Sequence, residues 1–93
     1  MLFEWDERKR QANLAHIDFQ DGMRVFDGPV FETVDSRQGE ERVVAIGSMD
    51  GIEIVVVYVT RGQRRRIISA RRAHRNERQD YANHLKIADH GKN

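Results

Sequence analysis

Ninety-three residues, 33% of them charged and 39% apolar, with no cysteine, specify a single domain over residues 1–93 and exclude disulfide scaffolds and cysteine metal sites. No apolar run approaches the ~20 residues of a membrane span, and Met1-Leu2-Phe3-Glu4-Trp5-Asp6 lacks the basic start and apolar stretch of a signal peptide, so a cytoplasmic location is expected. The net charge of +1 hides a division, because residues 1–60 hold six Lys/Arg against twelve Asp/Glu while residues 61–93 hold ten against three.

Leu2 to Trp5 reads as a short strand. Asp6 can cap a helix from Glu7 to Ala15 or His16, with both acids where the helix dipole is positive. Asp18 can cap a second helix, on which Phe19, Met23 and Phe26 recur at i, i+4 and i+7. Asp27-Gly28-Pro29 stops it. Val30 to Val34 is the next strand, and Ser36 to Gly39 a turn. Arg42 to Met49 is a strand, and Asp50-Gly51 is a two-residue hairpin signal. Ile52 to Thr60 has Val and Ile on both faces, which sets it in the middle of a sheet. Gly62 marks a turn before a strand from Arg65 to Arg72. A last helix runs from about Arg75 to Ile87, with His74, Tyr81, Leu85 and Ala88 on one stripe. The tail from Ala88 to Asn93 is short and polar, and is expected to fray.

The order β-α-α-β-β-β-β-α predicts an α+β domain, with helices covering one face of an antiparallel sheet of about four strands. Strict alternation divides the last strand. Ile67, Ser69 and Arg71 point one way; Arg66, Ile68, Ala70 and Arg72 point the other. Guanidinium groups lined up on a rigid strand suit phosphate oxygens, because each planar fork donates two hydrogen bonds to one anion.

Several segments resemble the BrnT toxins. They are Phe3-Glu4-Trp5-Asp6 with Lys9 and Asn13, Gly39-Glu40-Glu41-Arg42 leading into Val44-Ala45-Ile46-Gly47, Tyr58 with Arg61-Gly62, the stretch Arg66-Ile67-Ile68-Ser69-Ala70-Arg71, and Glu77-Arg78 with Tyr81. The similarity covers residues 3–81, and Arg-Ile-Ile-Ser-Ala-Arg is its most specific part. It implies a ribonuclease toxin of a type II toxin–antitoxin pair with a RelE-like fold. It also implies a BrnA-like ribbon-helix-helix antitoxin that binds DNA, forms a heterotetramer with the toxin and represses their promoter. The chain departs from the family pattern in two places. Asn13-Leu14-Ala15-His16-Ile17-Asp18-Phe19 is shorter between the helices and lacks the usual Lys and Gly, so that turn must differ. His74 stands where a better N-cap, Ser or Thr, is usual.

Metal-independent RNA cleavage needs a base for the 2′-hydroxyl proton, cations for the pentacoordinate phosphate, and an acid for the leaving oxygen. Arg71 and Arg61 are the first candidates for the cations. Both lie at or next to ends of adjacent strands, so a site near a connection could use both. Glu77 can orient Arg71 or act as base or acid, and Glu41 is a second base candidate. Lys9, Asn13 and His16 fall at i, i+4 and i+7 on one helix face, where Lys9 would serve catalysis and His16 would meet RNA phosphate. Arg66, Arg64, Arg65 and Arg72 complete an RNA-attracting surface. The bland alternatives are solvated strand ends, a solvated helix face and ordinary dipole chemistry for Glu77.

Other chemistries fail on spacing. His16, His74, His84 and His90 form no His-x-x-x-His pair, so no metal or other cofactor is expected. The glycines mark turns, and Ser69 has no triad partners at recognisable spacing. A module that binds nucleic acid or a protein partner without cutting is the competing reading.

Overall fold

The computed structural model describes residues 2–37 and 39–90. The elements are β1 (Leu2–Trp5), α1 (Glu7–Asn13), α2 (Phe19–Gly22), β2 (Phe31–Arg37), β3 (Glu40–Met49), β4 (Ile52–Arg61), β5 (Arg64–Arg72) and α3 (Arg75–His90). Both expected caps form. Asp6 accepts from the backbone N–H of Arg8 at 2.8 Å, and Asp18 from that of Gln20 at 3.0 Å. The second helix is shorter than its apolar spacing predicts, giving way to a 3₁₀ turn over Met23–Asp27. The last helix continues past Ile87 to His90, while residues 91–93 of the expected loose tail, like Gln38 in the expected turn, lie outside the described residues.

The α+β class holds, but the sheet differs from expectation. It has five strands in the order β1-β5-β4-β3-β2 among the described residues, and β1 runs parallel to β5. The remaining pairs are antiparallel. The sheet is therefore mixed, because β1 takes the free edge of β5 that a four-stranded meander leaves open. As its apolar faces require, β4 is the central strand. Asp50 and Gly51 both have positive φ, 53° and 80°, the conformation of a tight hairpin turn.

Helical segments lie on both faces of the sheet rather than one. On the first face, Phe19 and Val25 pack with Ile54, Val56, Ile67 and Ala70, and Phe3, Trp5 and Phe26 close around them. On the second, Tyr81 and Ala73 pack with Ile46 and Val55, flanked by Leu85 and Phe31. Burying side chains such as Ile54 and Val55 on opposite faces contributes about 1.5–3 kcal/mol each.

A β-bulge overturns the expected alternation in β5. Val57 pairs with Ser69, but Tyr58 pairs with Ile67, so Ile68 is the extra residue. Ile67 and Ala70, three apart, consequently enter the same core. Arg66 pairs with Val59 and Arg71 with Val55; Val59 and Val55 are an even number apart, so these two arginines share a face.

Candidate functional site

The second face of the sheet is the open one beyond α3, and pairing fixes what it carries. Glu4 pairs with Arg66, Arg66 with Val59, and Arg42 with Asp35. Continuing β3 and β4 one rung past Val43–Tyr58 sets Arg42 beside Val59. One row across the sheet thus reads Glu4, Arg66, Val59, Arg42, Asp35, since laterally paired residues project on the same side. The next row is Val44, Val57, Ser69, and the one after it Ile46, Val55, Arg71. Helix α3 covers the third row, and the first two, half-buried apart from the buried Val59, line a groove with an apolar floor.

Two connected basins make up the groove. One, of about 500 Å³, is lined by Lys9, Arg42, Val59, Arg61, Arg66 and Ile68 among others. The other, of about 340 Å³, is lined by Lys9, Arg42, Val57, Ser69, Arg71 and Glu77 among others. Lys9, Arg42 and Ile68 belong to both. Lys9 reaches the groove because α1 is fastened along β5 where β1 ends. The Asn13 amide donates to the carbonyl of Ala70 at 2.6 Å and to that of Ile17 at 2.8 Å. Arg10 binds both oxygens of Asp18, at 2.8 and 2.9 Å, tying α1 to the cap of α2. Lys9 itself is exposed and has no ion pair or hydrogen bond among the described residues.

Arg71 is the most firmly held cation in the groove. Its Nη1 and Nη2 donate to Glu77 Oε1 and Oε2, each at 2.8 Å, and Nη1 also reaches the Arg72 carbonyl at 3.2 Å. Glu77 stands at the third position of α3 and accepts from the backbone N–H of His74 at 2.8 Å. This is half of a capping box, and it offsets the poor cap that His74 makes. The Arg71 guanidinium holds the Glu77 carboxyl at about 2, well below its ordinary 4.5, with the His74 N–H adding to the effect. Reciprocally, Glu77 pushes the Arg71 value up. Glu77 is therefore ionised at neutral pH with both oxygens engaged, which suits it to holding Arg71 rather than exchanging protons. Of the five N–H donors of a guanidinium, Arg71 commits three, and its Nε–H and one Nη2–H remain for a ligand.

The other sequence candidates divide between the two faces. Arg66 faces the groove and makes a long ion pair with Glu4 at 3.4 Å. Arg61 and Arg71 do not share one site. Arg61 pairs with Arg64 at the β4–β5 turn, and β5 runs from there to Arg71, roughly 20 Å at strand rise. Adjacent antiparallel strands end at opposite edges, so two C-terminal strand residues are driven apart. Arg64 is exposed at the turn and lines neither basin. Arg65 lies on the opposite face, its guanidinium 4.8 Å from the Phe26 ring centre and 4.9 Å from that of Tyr58. Arg72 pairs with Ile54 and so also projects on that face. Glu41 borders the wider basin, but alternation turns its side chain to the side of Val43, away from Arg42. Helix α1 ends at Asn13, which leaves His16 exposed in the following turn and outside both basins.

Arg42 is the groove residue that sequence reading missed. Its spacing from Val44 and Ile46 already fixed a common face for the three, but not which face stays open. Its covered Nε lacks a hydrogen-bond partner. Glu40 Oε2 lies 3.5 Å from that Nε but out of line for its N–H, and accepts instead a long hydrogen bond from Nη2 at 3.5 Å. Among the described residues no group of three or more His, Asp or Glu is placed to hold a metal ion.

Cations over an apolar floor, with carboxylates on the edge strands, at the start of β3 and on α3, define a small α+β protein with a groove suited to a polyanion. The sequence supplies the family. Residues 5–77 match the family model described as ribonuclease toxin, BrnT, of type II toxin–antitoxin system, and the chain belongs to that family. An antitoxin partner is implied by membership. No curated protein matches the chain. Among the described residues no helix is long and apolar enough to cross a membrane.

Proposed function

We propose that the groove binds single-stranded RNA and cuts it without a metal ion. The 2′-hydroxyl oxygen attacks the adjacent phosphorus, the P–O5′ bond breaks, and the products are a 2′,3′-cyclic phosphate and a 5′-hydroxyl. Arg71, braced by Glu77, neutralises the charge that builds on the equatorial oxygens of the pentacoordinate phosphate. Lys9, exposed and uncommitted above the groove, gives a proton to the departing O5′, while solvent takes the 2′-hydroxyl proton. Arg61 and Arg64 serve only to attract RNA toward the wider basin. The observation that carries this reading is the double hydrogen bond from Arg71 to Glu77, which fixes a cation at the groove with two donors unspent.

The same reading takes the fold as RelE-like and the product as a cytoplasmic inhibitor of translation and growth. Its neutralising partner is a BrnA-like ribbon-helix-helix protein that assembles with it into a heterotetramer. Support comes from the family match and from the charge division, since an acidic partner segment laid in the groove would displace RNA.

The test is cleavage of total RNA by the purified chain in EDTA, alongside growth after induced expression. Wild type should cut RNA and arrest growth. Arg71→Ala should lose both while still binding the antitoxin. RNA bound but left intact by wild type would support a non-catalytic module, and wild-type cleavage by Arg71→Ala would remove Arg71 from the chemistry.

A further inference from the structure

We propose that Arg42 and Arg66 together form a second phosphate subsite, which binds a backbone phosphate flanking the one cut beside Arg71. The inference rests on the ribonuclease reading of the groove and extends it to the substrate's footprint. Arg42 and Arg66 lie in one cross-sheet row on either side of Val59. Two strand spacings set their Cα atoms roughly 10 Å apart, a gap that two long side chains can close over a single phosphate. Both line the wider basin, whereas Arg71 lines the other, two rows along the sheet, or roughly 13 Å at strand rise.

Three observations favour an anion between this pair. First, their carboxylate partners are loosely engaged, with Arg66–Glu4 at 3.4 Å and Arg42–Glu40 at 3.5 Å, against 2.8 Å for Arg71–Glu77. Loose pairs can be exchanged for a bidentate phosphate; a tight one resists. Second, the Arg42 Nε is covered without a hydrogen-bond acceptor, a state that an incoming oxyanion relieves by drawing the guanidinium round. Third, the residue between them is Val59, and Ile68 and Val57 continue the floor toward Arg71. Apolar surface between two phosphate positions leaves room for the base of the intervening nucleotide.

Counterion release gives a direct test. The affinity of a single strand falls with salt at a slope of about 0.7 per phosphate neutralised. A non-cleavable 2′-O-methyl RNA 12-mer of mixed sequence, read by fluorescence anisotropy across a potassium chloride series, yields that slope. The R42Q/R66Q double variant should lose about 0.7 from the wild-type slope, which is about fivefold in affinity at 0.1 M salt. R42K/R66K should keep the wild-type slope. An unchanged slope in the glutamine variant overturns the subsite, and a loss of about 1.4 overturns the single shared phosphate by showing two. Should the double variant fold poorly by circular dichroism, R42Q alone must still weaken binding severalfold at unchanged melting temperature, and wild-type affinity there overturns the proposal. Cleavage of natural RNA by the wild-type chain is measured in parallel. Its absence would sink the ribonuclease reading without touching the slope result.

Discussion

Glu77→Gln isolates the ion pair at the centre of the groove. The amide keeps an oxygen for the His74 N–H, so the helix cap survives while the charge is lost. The Arg71 guanidinium, with the His74 N–H adding to it, lowers the Glu77 carboxyl from 4.5 to about 2, a shift of roughly 3 kcal/mol at 1.36 kcal/mol per unit. Arg71 keeps 36% of its side chain open to water, and that screening leaves an expected contribution of about 2 kcal/mol. The sign follows from the direction of the shift. A carboxyl depressed on folding stabilises above its unfolded value, and the contribution fades as pH falls toward the folded one. At pH 7 the variant should therefore be less stable by about 2 kcal/mol, near 10 °C in melting temperature for a domain of this size. At pH 2.5 the difference should shrink to about 0.5 kcal/mol. Urea unfolding of both proteins at the two pH values measures it. A gap of equal size at both would refute an ion pair as its source and point to packing instead.

Three further outcomes test the scaffold. Asn13→Asp removes both amide donors to the Ala70 and Ile17 carbonyls, so it should cost about 1–3 kcal/mol and speed hydrogen exchange in α1. Gly47→Ala places a methyl 2.6 Å from Val25 Cβ, with Val30 also close, and should destabilise the fold by about 1–3 kcal/mol through overpacking, read as a lower urea midpoint at unchanged slope. Arg65→Met removes a cation from between Phe26 and Tyr58 on the covered face. It should cost about 0.5–1 kcal/mol and leave RNA cleavage at the wild-type rate, whereas a large loss of cleavage would mean that RNA reaches that face.

How much of this was legible depends on how local each determinant is. Asp6, Asp18 and Asp50-Gly51 act on their own neighbours, so the two helices start and the hairpin turns where the pattern placed them. Val and Ile on both sides of β4 marked its central position for the same reason. Pairings that join distant segments left no such trace. A strand of four residues from Leu2 to Trp5 carries nothing to say that it lies parallel to β5. The early end of α1 is another case, since Asn13 spends its amide on Ala70, fifty-seven positions away. Arg42 went unread because alternation assigns residues to two faces without saying which of them a helix covers.

The bulge at Ile68 links these points to the groove. Arg66 and Arg71 are five residues apart, so an unbroken strand would project them on opposite sides of the sheet. Ile67 and Ala70 would likewise be divided between the two cores. One extra residue corrects both at once, burying Ile67 with Ala70 on the helix-packed side and bringing Arg66 and Arg71 to the open side. Because the sequence has adjacent isoleucines at this point, neither phase is visibly favoured from the residues alone. What selects the bulged phase is tertiary. Ala70 must be small where Gly22 of α2 lies against it, at 3.4 Å from a Cβ built on that glycine. Ala70 must also present its carbonyl to Asn13. The contacts that seat α1 and α2 on β5 thereby set which arginines face the groove, and the cation pattern follows from the core packing.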